Sequence, residues 1–417
     1  MSKLRYLSAR HTLPFCTTDG RIVSRVGHDA ETGIYLHLPF GQTLNIPDQP
    51  TRDQVSAALA TMMAPLPGYT WATSDDAGAA VCSTFMAICR PVLEICPAVL
   101  VDASSQGSGK TKLAMALGAL MTGRREGVLP FSGIDDDELR KQLISGVIVG
   151  QVFVCLDNVT GFVRSPTLAA VLTSGRLQGR VLGASKTVDA SIRALVTLTA
   201  NNASIDADLQ RRVMKIRIDS GANPTHRRFS FCPVNVALSD RFKIAEAACV
   251  IWRAYFNAGA PRIASDDAGG FTQWSNLCRQ PVLWLQREGL ADRLGWQLGD
   301  PAASMLADPS QSDPEFESLG ELLRAIWALT EGAAFKASDM LTWFRTGAHD
   351  REPDDADEVL HHALRDLLGL GGRDEPNAKT IGRALMNRRE RVVGGLQLLV
   401  RGSPQANAKS WRVAQVP

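Results

Sequence analysis

No stretch of this chain approaches the ~18 consecutive apolar residues that a membrane-spanning helix requires. The N-terminal MSKLRYLSARHTLPF lacks the apolar core of a secretory leader. Both absences point to a cytoplasmic protein with no membrane partner. Neither sign of charge dominates, with Lys+Arg 45 against Asp+Glu 43, so nucleic-acid contact would have to come from a local basic patch. None of the 8 cysteines pairs with another or with histidine at zinc-like spacing. Cys82, Cys89 and Cys96 recur at sevenfold intervals, but Pro91 and Pro97 interrupt that stretch. Small core residues are the expectation, since free cysteine packs as a hydrophobe. His361 and His362 lack metal-binding neighbours in the same way and read as a helix pair.

The 417 residues present leave room for two or three domains. Residues 1–75 read as an N-terminal extension of short strands, punctuated by Asp-Gly and Thr-Gly turns, followed by a helix from Thr51 to about Met63. A second helix is expected over roughly Asp76–Ile95, kinked at Pro91. Residues 76–305 then alternate short apolar runs (PAVLV, VFVCL, ALVTL) with helical stretches, the signature of an α/β core. Residues 306–417 open with a Pro-, Asp- and Ser-rich linker and continue as a separate domain.

The first apolar run leads into ASSQGSGKTKLA. A strand, a glycine loop ending in Lys-Thr, and a helix form a phosphate-holding device. Gly107 and Gly109 let the backbone N–H groups of Ser105, Gln106, Gly107, Ser108, Gly109, Lys110, Thr111 and Lys112 curl inward. The helix N-terminus adds positive potential. Lys110 reaches the terminal phosphates of ATP, and Thr111 ligates Mg²⁺. Ser104 replaces the glycine that usually opens such loops, where a turn is the main requirement.

The second apolar run ends in Asp157, placed to hold the Mg²⁺ shell. Asn158 follows, where many such ATPases carry a glutamate. Asparagine orients a water but cannot take its proton, which leaves the general base open. Asp136, Asp137 and Glu138 are alternative carboxylates, better suited to capping a helix. The third run ends in Asn201 and Asn202, residues fit to hold a lytic water or sense the γ-phosphate. Arg211 and Arg212 follow on a short helix, positioned for an arginine finger toward a neighbouring subunit. Arg212 is the preferred candidate because it abuts the next strand.

The C-terminal domain reads as helix, helix, helix and β-ribbon, the pattern of a winged helix. Its third helix buries Ile381 and Leu385 and shows Lys379, Arg383 and Asn387 on the other face. With Arg388, Arg401 and Lys409 these form a local basic patch suited to DNA.

Taken together, these segments resemble the AAA+ helicases of superfamily 3. More closely, they are similar to the helicase portion of primase-helicase proteins from phages, phage satellites and integrative elements. The resemblance runs from PTRDQVSAALATMMAPL through CLDNV, LTSGRLQGRVLGASKTV, TLTANN and DADLQRRVMKIRID to FTQWSNLCRQPVLWL. The LDN triplet is usual in that group, whereas Ala200 replaces a more common glycine. The resemblance implies an α/β AAA+ P-loop core with a winged-helix tail, assembled as a homohexamer that threads single-stranded DNA using ATP and Mg²⁺. It implies a channel hairpin with Lys186 at its basic tip, and Arg180 reaching a subunit boundary. It also implies duplex DNA at the winged helix. Residues 1–70 supply no primase site, so a separate primase or host replication protein is the expected partner. Two other readings stay open, a DNA-binding ATP switch that does not translocate and an interaction module with a vestigial motor.

Overall fold

The computed structural model describes residues 6–103, 107–131, 136–159, 162–180, 187–201, 203–219, 231–307, 314–347, 356–368, 370, 374–389, 392–393, 395–401 and 410–416. The chain divides into two compact units, Met1–Ala307 and Asp308–Pro417.

Five parallel strands form the heart of the first unit. They are β1 (Ala98–Ala103), β2 (Leu129–Pro130), β3 (Phe153–Val159), β4 (Leu195–Asn201) and β5 (Val213–Ile218), in the order β5-β1-β4-β3-β2. Helices cover both faces, which is why the strands read as continuous apolar runs rather than alternating ones. On β1, Val99 and Val101 face one core with Leu113 and Leu117 of helix α1 (Lys110–Thr122). Ala98 and Leu100 face the opposite core, with Leu139 and Leu143 of α2 (Asp136–Ile148) and Leu168 of α3 (Pro166–Ser174). Full burial of each such leucine contributes roughly 1.5–3 kcal/mol. Helix α1 approaches the sheet closely at Gly118, where a Cβ would lie 2.6 Å from the Phe153 ring.

Short strands open the unit, among them Ala9–His11 paired in parallel with Ile34–Leu36. The helix Arg52–Met62 starts at Thr51, whose hydroxyl and the Gln54 side chain complete a reciprocal capping box. The next helix, Ser74–Cys89, ends earlier than the sequence suggests. The chain leaves it as a 3-10 turn over Arg90–Val92, because Pro91 cannot donate to the preceding turn. In α4 (Arg241–Asn257), the buried Arg241 donates to the carbonyls of Leu120 (2.6 Å), Met121 (2.7 Å) and Thr12 (3.0 Å). It thereby caps the C-terminal end of α1 and fastens the N-terminal strands to it. Desolvation lowers its pKa to about 10.

The second unit has a helix ahead of the three expected, Pro314–Thr330, then Ala337–Thr346, Ala356–Leu368 and α5 (Ala378–Asn387). Its sheet has four strands rather than a two-stranded ribbon, ordered Phe335–Lys336, Ser410–Gln415, Leu396–Arg401 and Val392–Val393. Trp411 sits opposite Phe335, and both are buried in the core of this unit.

Candidate nucleotide-binding site

Because the five strands are parallel, the segments that follow β1, β3 and β4 gather at one edge of the sheet. The glycine loop leaves β1 there. Gly107 (φ +79°) and Gly109 (φ +92°) occupy left-handed conformations that favour glycine, and α1 starts immediately at Lys110. A Cβ added at Gly107 would meet no atom within 4 Å among the described residues, so its left-handed backbone rather than crowding is what favours glycine there. The Lys110 ammonium donates to Ser108 Oγ (2.9 Å) and to Asn201 Oδ1 (2.7 Å) at the tip of β4. Burial lowers the lysine pKa, while the nearby carboxylates of Asp102 and Asp157 oppose that shift. Lys112 points outward and is exposed.

Asp157 lies at the tip of β3. Its Oδ1 accepts from Thr111 Oγ1 (2.8 Å) and from Thr199 Oγ1 (2.6 Å). A hydroxyl and a carboxylate converging in this way are the hard oxygen donors that suit Mg²⁺. Asn158 has φ +56° and an exposed side chain, and its N–H donates to Thr199 Oγ1 (3.0 Å). Asparagine tolerates the left-handed region better than most residues, so the backbone itself accounts for an asparagine rather than a glutamate at this position. Thr199 was not singled out from the sequence. Its signal was a hydroxyl in a buried strand, which must find hydrogen-bond partners.

Asp136 is committed elsewhere. Its carboxylate accepts from Ser165 Oγ, Thr167 Oγ1 (2.6 Å) and Thr167 N (3.1 Å), joining the N-terminal ends of α2 and α3. Arg211 and Arg212 share Asp208 Oδ1, each at 2.7 Å. Arg212 is mostly buried (16% exposed) and also donates to Thr173 Oγ1 (2.7 Å) and the Asp208 carbonyl. Arg211 is 61% exposed. Arg212, the preferred finger from the sequence, is thus bonded within its own chain, and Arg211 is the more exposed of the pair.

Two further contacts border the loop. Tyr69 donates from Oη to the Gly109 carbonyl (3.0 Å), and its ring stacks on Trp71 at 5.6 Å. Trp71 in turn lines a cavity of about 350 Å³ with Met63, Ala77, Trp296 and Leu298. Asp102, buried at the end of β1, has no well-aligned hydrogen bond, but the Lys215 ammonium lies 2.9 Å from its Oδ2.

Several expected residues lie outside the described ones, namely Ser105, Gln106, Lys186, Asn202 and Lys409, together with the side chains of Arg180, Asn387 and Arg401. The strands flanking Lys186 do pair as an antiparallel hairpin, Arg176–Arg180 with Thr187–Ser191. In the second unit, Asn377 caps α5, Ile381 and Leu385 are buried, and Lys379 and Arg383 are exposed. Arg388 is half-buried, donating to the carbonyls of Ala384 (3.1 Å) and Leu367 (3.5 Å), and so helps close helix ends. The cysteines at 82, 89 and 96 are buried, and desolvation pushes Cys96 up to about 12. No cluster of His, Cys, Asp and Glu able to hold a metal ion occurs among the described residues. No helix among them is long and apolar enough to cross a membrane.

No protein-family model matches the chain, and no curated protein matches it. Among solved structures it is similar to the C-terminal region of NrS-1 in its A-form apo structure, at 12% identity and TM-score 0.35, covering 92% of this chain and 81% of that one. It is also similar to the JCV helicase, at 17% identity and TM-score 0.29, covering 62% of this chain and 68% of that one. Likeness at this level leaves the reading of function to the residues of the site.

Proposed function

We propose that this chain is an ATP-hydrolysing, ring-forming DNA helicase, acting as a hexamer and belonging to the replication machinery of a mobile genetic element. The observation that carries the reading is the convergence of Lys110, Thr111, Asp157 and Asn201 at the C-terminal ends of β1, β3 and β4, where the glycine loop leads into α1. In this reading the loop amides and Lys110 bind the β- and γ-phosphates of ATP, and the base enters the cavity beside Trp71 and Trp296. Thr111 and Asp157 hold Mg²⁺, which when bound supplies charge neutralisation on the phosphates. Asn201, released from Lys110 by the incoming phosphates, orients the attacking water. Arg211 reaches the nucleotide of the neighbouring subunit, a role that an exposed guanidinium can fill.

DNA contact is assigned to two places. Lys186, in the segment that joins the paired strands Arg176–Arg180 and Thr187–Ser191, grips a single strand in the ring channel. The C-terminal unit, as a winged helix, offers the exposed Lys379 and Arg383 of α5 to duplex phosphates.

Strand separation on forked DNA with ATP and Mg²⁺, comparing wild type with Lys110→Ala, tests the whole reading. Unwinding by wild type alone supports it. A second reading, an ATP switch that assembles on DNA without moving, is favoured by one observation: Asn158 supplies no carboxylate at the tip of β3. DNA-stimulated turnover without unwinding would select it.

A further inference from the structure

Between the Leu198↔Leu156 and Ala200↔Val159 pairings, the register of β4 against β3 slips. Two residues of β3, Asp157 and Asn158, therefore stand opposite one residue of β4, Thr199, as in a β-bulge. Thr199 is 1% exposed, and its hydroxyl accepts from Asn158 N at 3.0 Å. Its single proton goes to Asp157 Oδ1 at 2.6 Å. One hydroxyl thus links the bulged backbone at Asn158 to the Asp157 carboxylate and aims that carboxylate.

We infer that Thr199 is a positioning residue for the site: its hydroxyl locks the Asp157 carboxylate and the left-handed turn at Asn158 into one rigid tip, and so sets the affinity for Mg²⁺-nucleotide. The inference rests on the reading of the loop as a nucleotide site and deepens it. Thr111 donates to the same Oδ1 at 2.8 Å. When Thr111 turns to hold an ion, Thr199 is the hydroxyl that still orients the carboxylate. Partners that orient metal-binding side chains in this way matter, because their loss typically weakens metal affinity 10- to 100-fold. Valine has the shape of threonine without the hydroxyl, so it would leave the Asn158 N–H unpaired and the carboxylate free to rotate.

The test uses the full chain as wild type, Thr199→Ser and Thr199→Val. Fluorescence of N-methylanthraniloyl-ADP is followed at fixed nucleotide while Mg²⁺ is titrated, and again in EDTA. Amide hydrogen exchange of the segment holding Asn158 is measured on the ligand-free proteins. For Thr199→Val the expected result is a rise of about tenfold or more in the Mg²⁺ needed for half-saturation. Faster exchange at Asn158 accompanies it, with binding in EDTA unchanged. Thr199→Ser stays close to wild type in all three. An unaltered Mg²⁺ requirement in Thr199→Val overturns the inference, and so does equal impairment of the serine and valine variants. If the valine variant loses its cooperative thermal transition, Thr199→Cys replaces it, with a smaller shift in the same direction because a thiol donates weakly. A wild type that binds no nucleotide at any Mg²⁺ concentration defeats the reading of the site itself, and this inference falls with it.

Discussion

The Lys110 ammonium lies 2.7 Å from Asn201 Oδ1, so the lysine that opens α1 and the residue at the tip of the central strand hold each other directly. On the proposed reading, phosphate oxygens compete with that amide oxygen for the protons of Lys110.

Removing the amide separates the two duties. In Asn201→Ala, Lys110 loses one acceptor, nucleotide affinity is equal to or higher than wild type, and turnover falls by about two orders of magnitude or more. In Asn201→Asp, the new carboxylate pairs with Lys110 and weakens nucleotide binding. Equilibrium binding and steady-state turnover measured on both variants check this; tighter binding by the aspartate variant would contradict it.

Asn158 carries its own test because its backbone is left-handed. Asn158→Gly keeps the fold and binds nucleotide within a few-fold of wild type. Asn158→Glu brings a carboxylate but strains the bulge, lowering stability by about 1 kcal/mol. Thermal melts decide the second point. Turnover of the glycine variant decides whether the amide side chain has a role beyond conformation.

The two arginines part in the same manner. Arg211→Ala leaves the melting temperature unchanged and, mixed with wild type, lowers turnover more than in proportion to its fraction. Arg212→Ala loses the bonds to Thr173 and Asp208 and is destabilised by roughly 1–3 kcal/mol. Equal effects of the two in the mixing experiment would count against Arg211 as the trans-acting group.

On α5, replacing both Lys379 and Arg383 by alanine removes two cations. The slope of log affinity for duplex DNA against log salt then falls by about 1.8, because each phosphate that a cation neutralises adds about 0.9 to it. Fluorescence anisotropy across a KCl series measures the slope, and an unchanged slope assigns these side chains to something other than DNA.

Acid stability turns on His11, which is buried, with Nε2 donating to the Ile88 carbonyl at 2.8 Å. Desolvation lowers its pKa from 6.5 to about 4. The unfolded chain therefore takes up a proton first. The contribution of His11 is complete above pH 6.5 and fades as pH falls toward 4. Denaturant melts of wild type and His11→Gln over that range compare the slopes, and the variant's is the flatter.

Much of the core was legible because parallel strands buried on both faces must be apolar throughout. PAVLV, VFVCL and ALVTL stand out for that reason, and their polar ends mark the edge where the site lies. The capping box at Thr51 and Gln54 and the buried face of α5 follow from local chemistry in the same way. What depends on register was not legible. Nothing in TLTAN announces that Thr199 faces a bulge, since the slip exists only between two strands. Charge alone could not show that Arg212 and Arg388 spend their guanidinium groups on their own chain. Nor could the spacing of Asp136 show that it caps a second helix.

Arg241 closes the last turn of the phosphate-loop helix and grasps Thr12 with the same guanidinium. A single buried cation is thus common property of the N-terminal segment and the α/β core. If those strands peel away, it keeps its charge, loses two acceptors and opens to water beside the helix end. The first strands and the nucleotide site accordingly melt as one cooperative transition, and ligand bound at the loop slows proteolysis at the far N-terminal end of the unit.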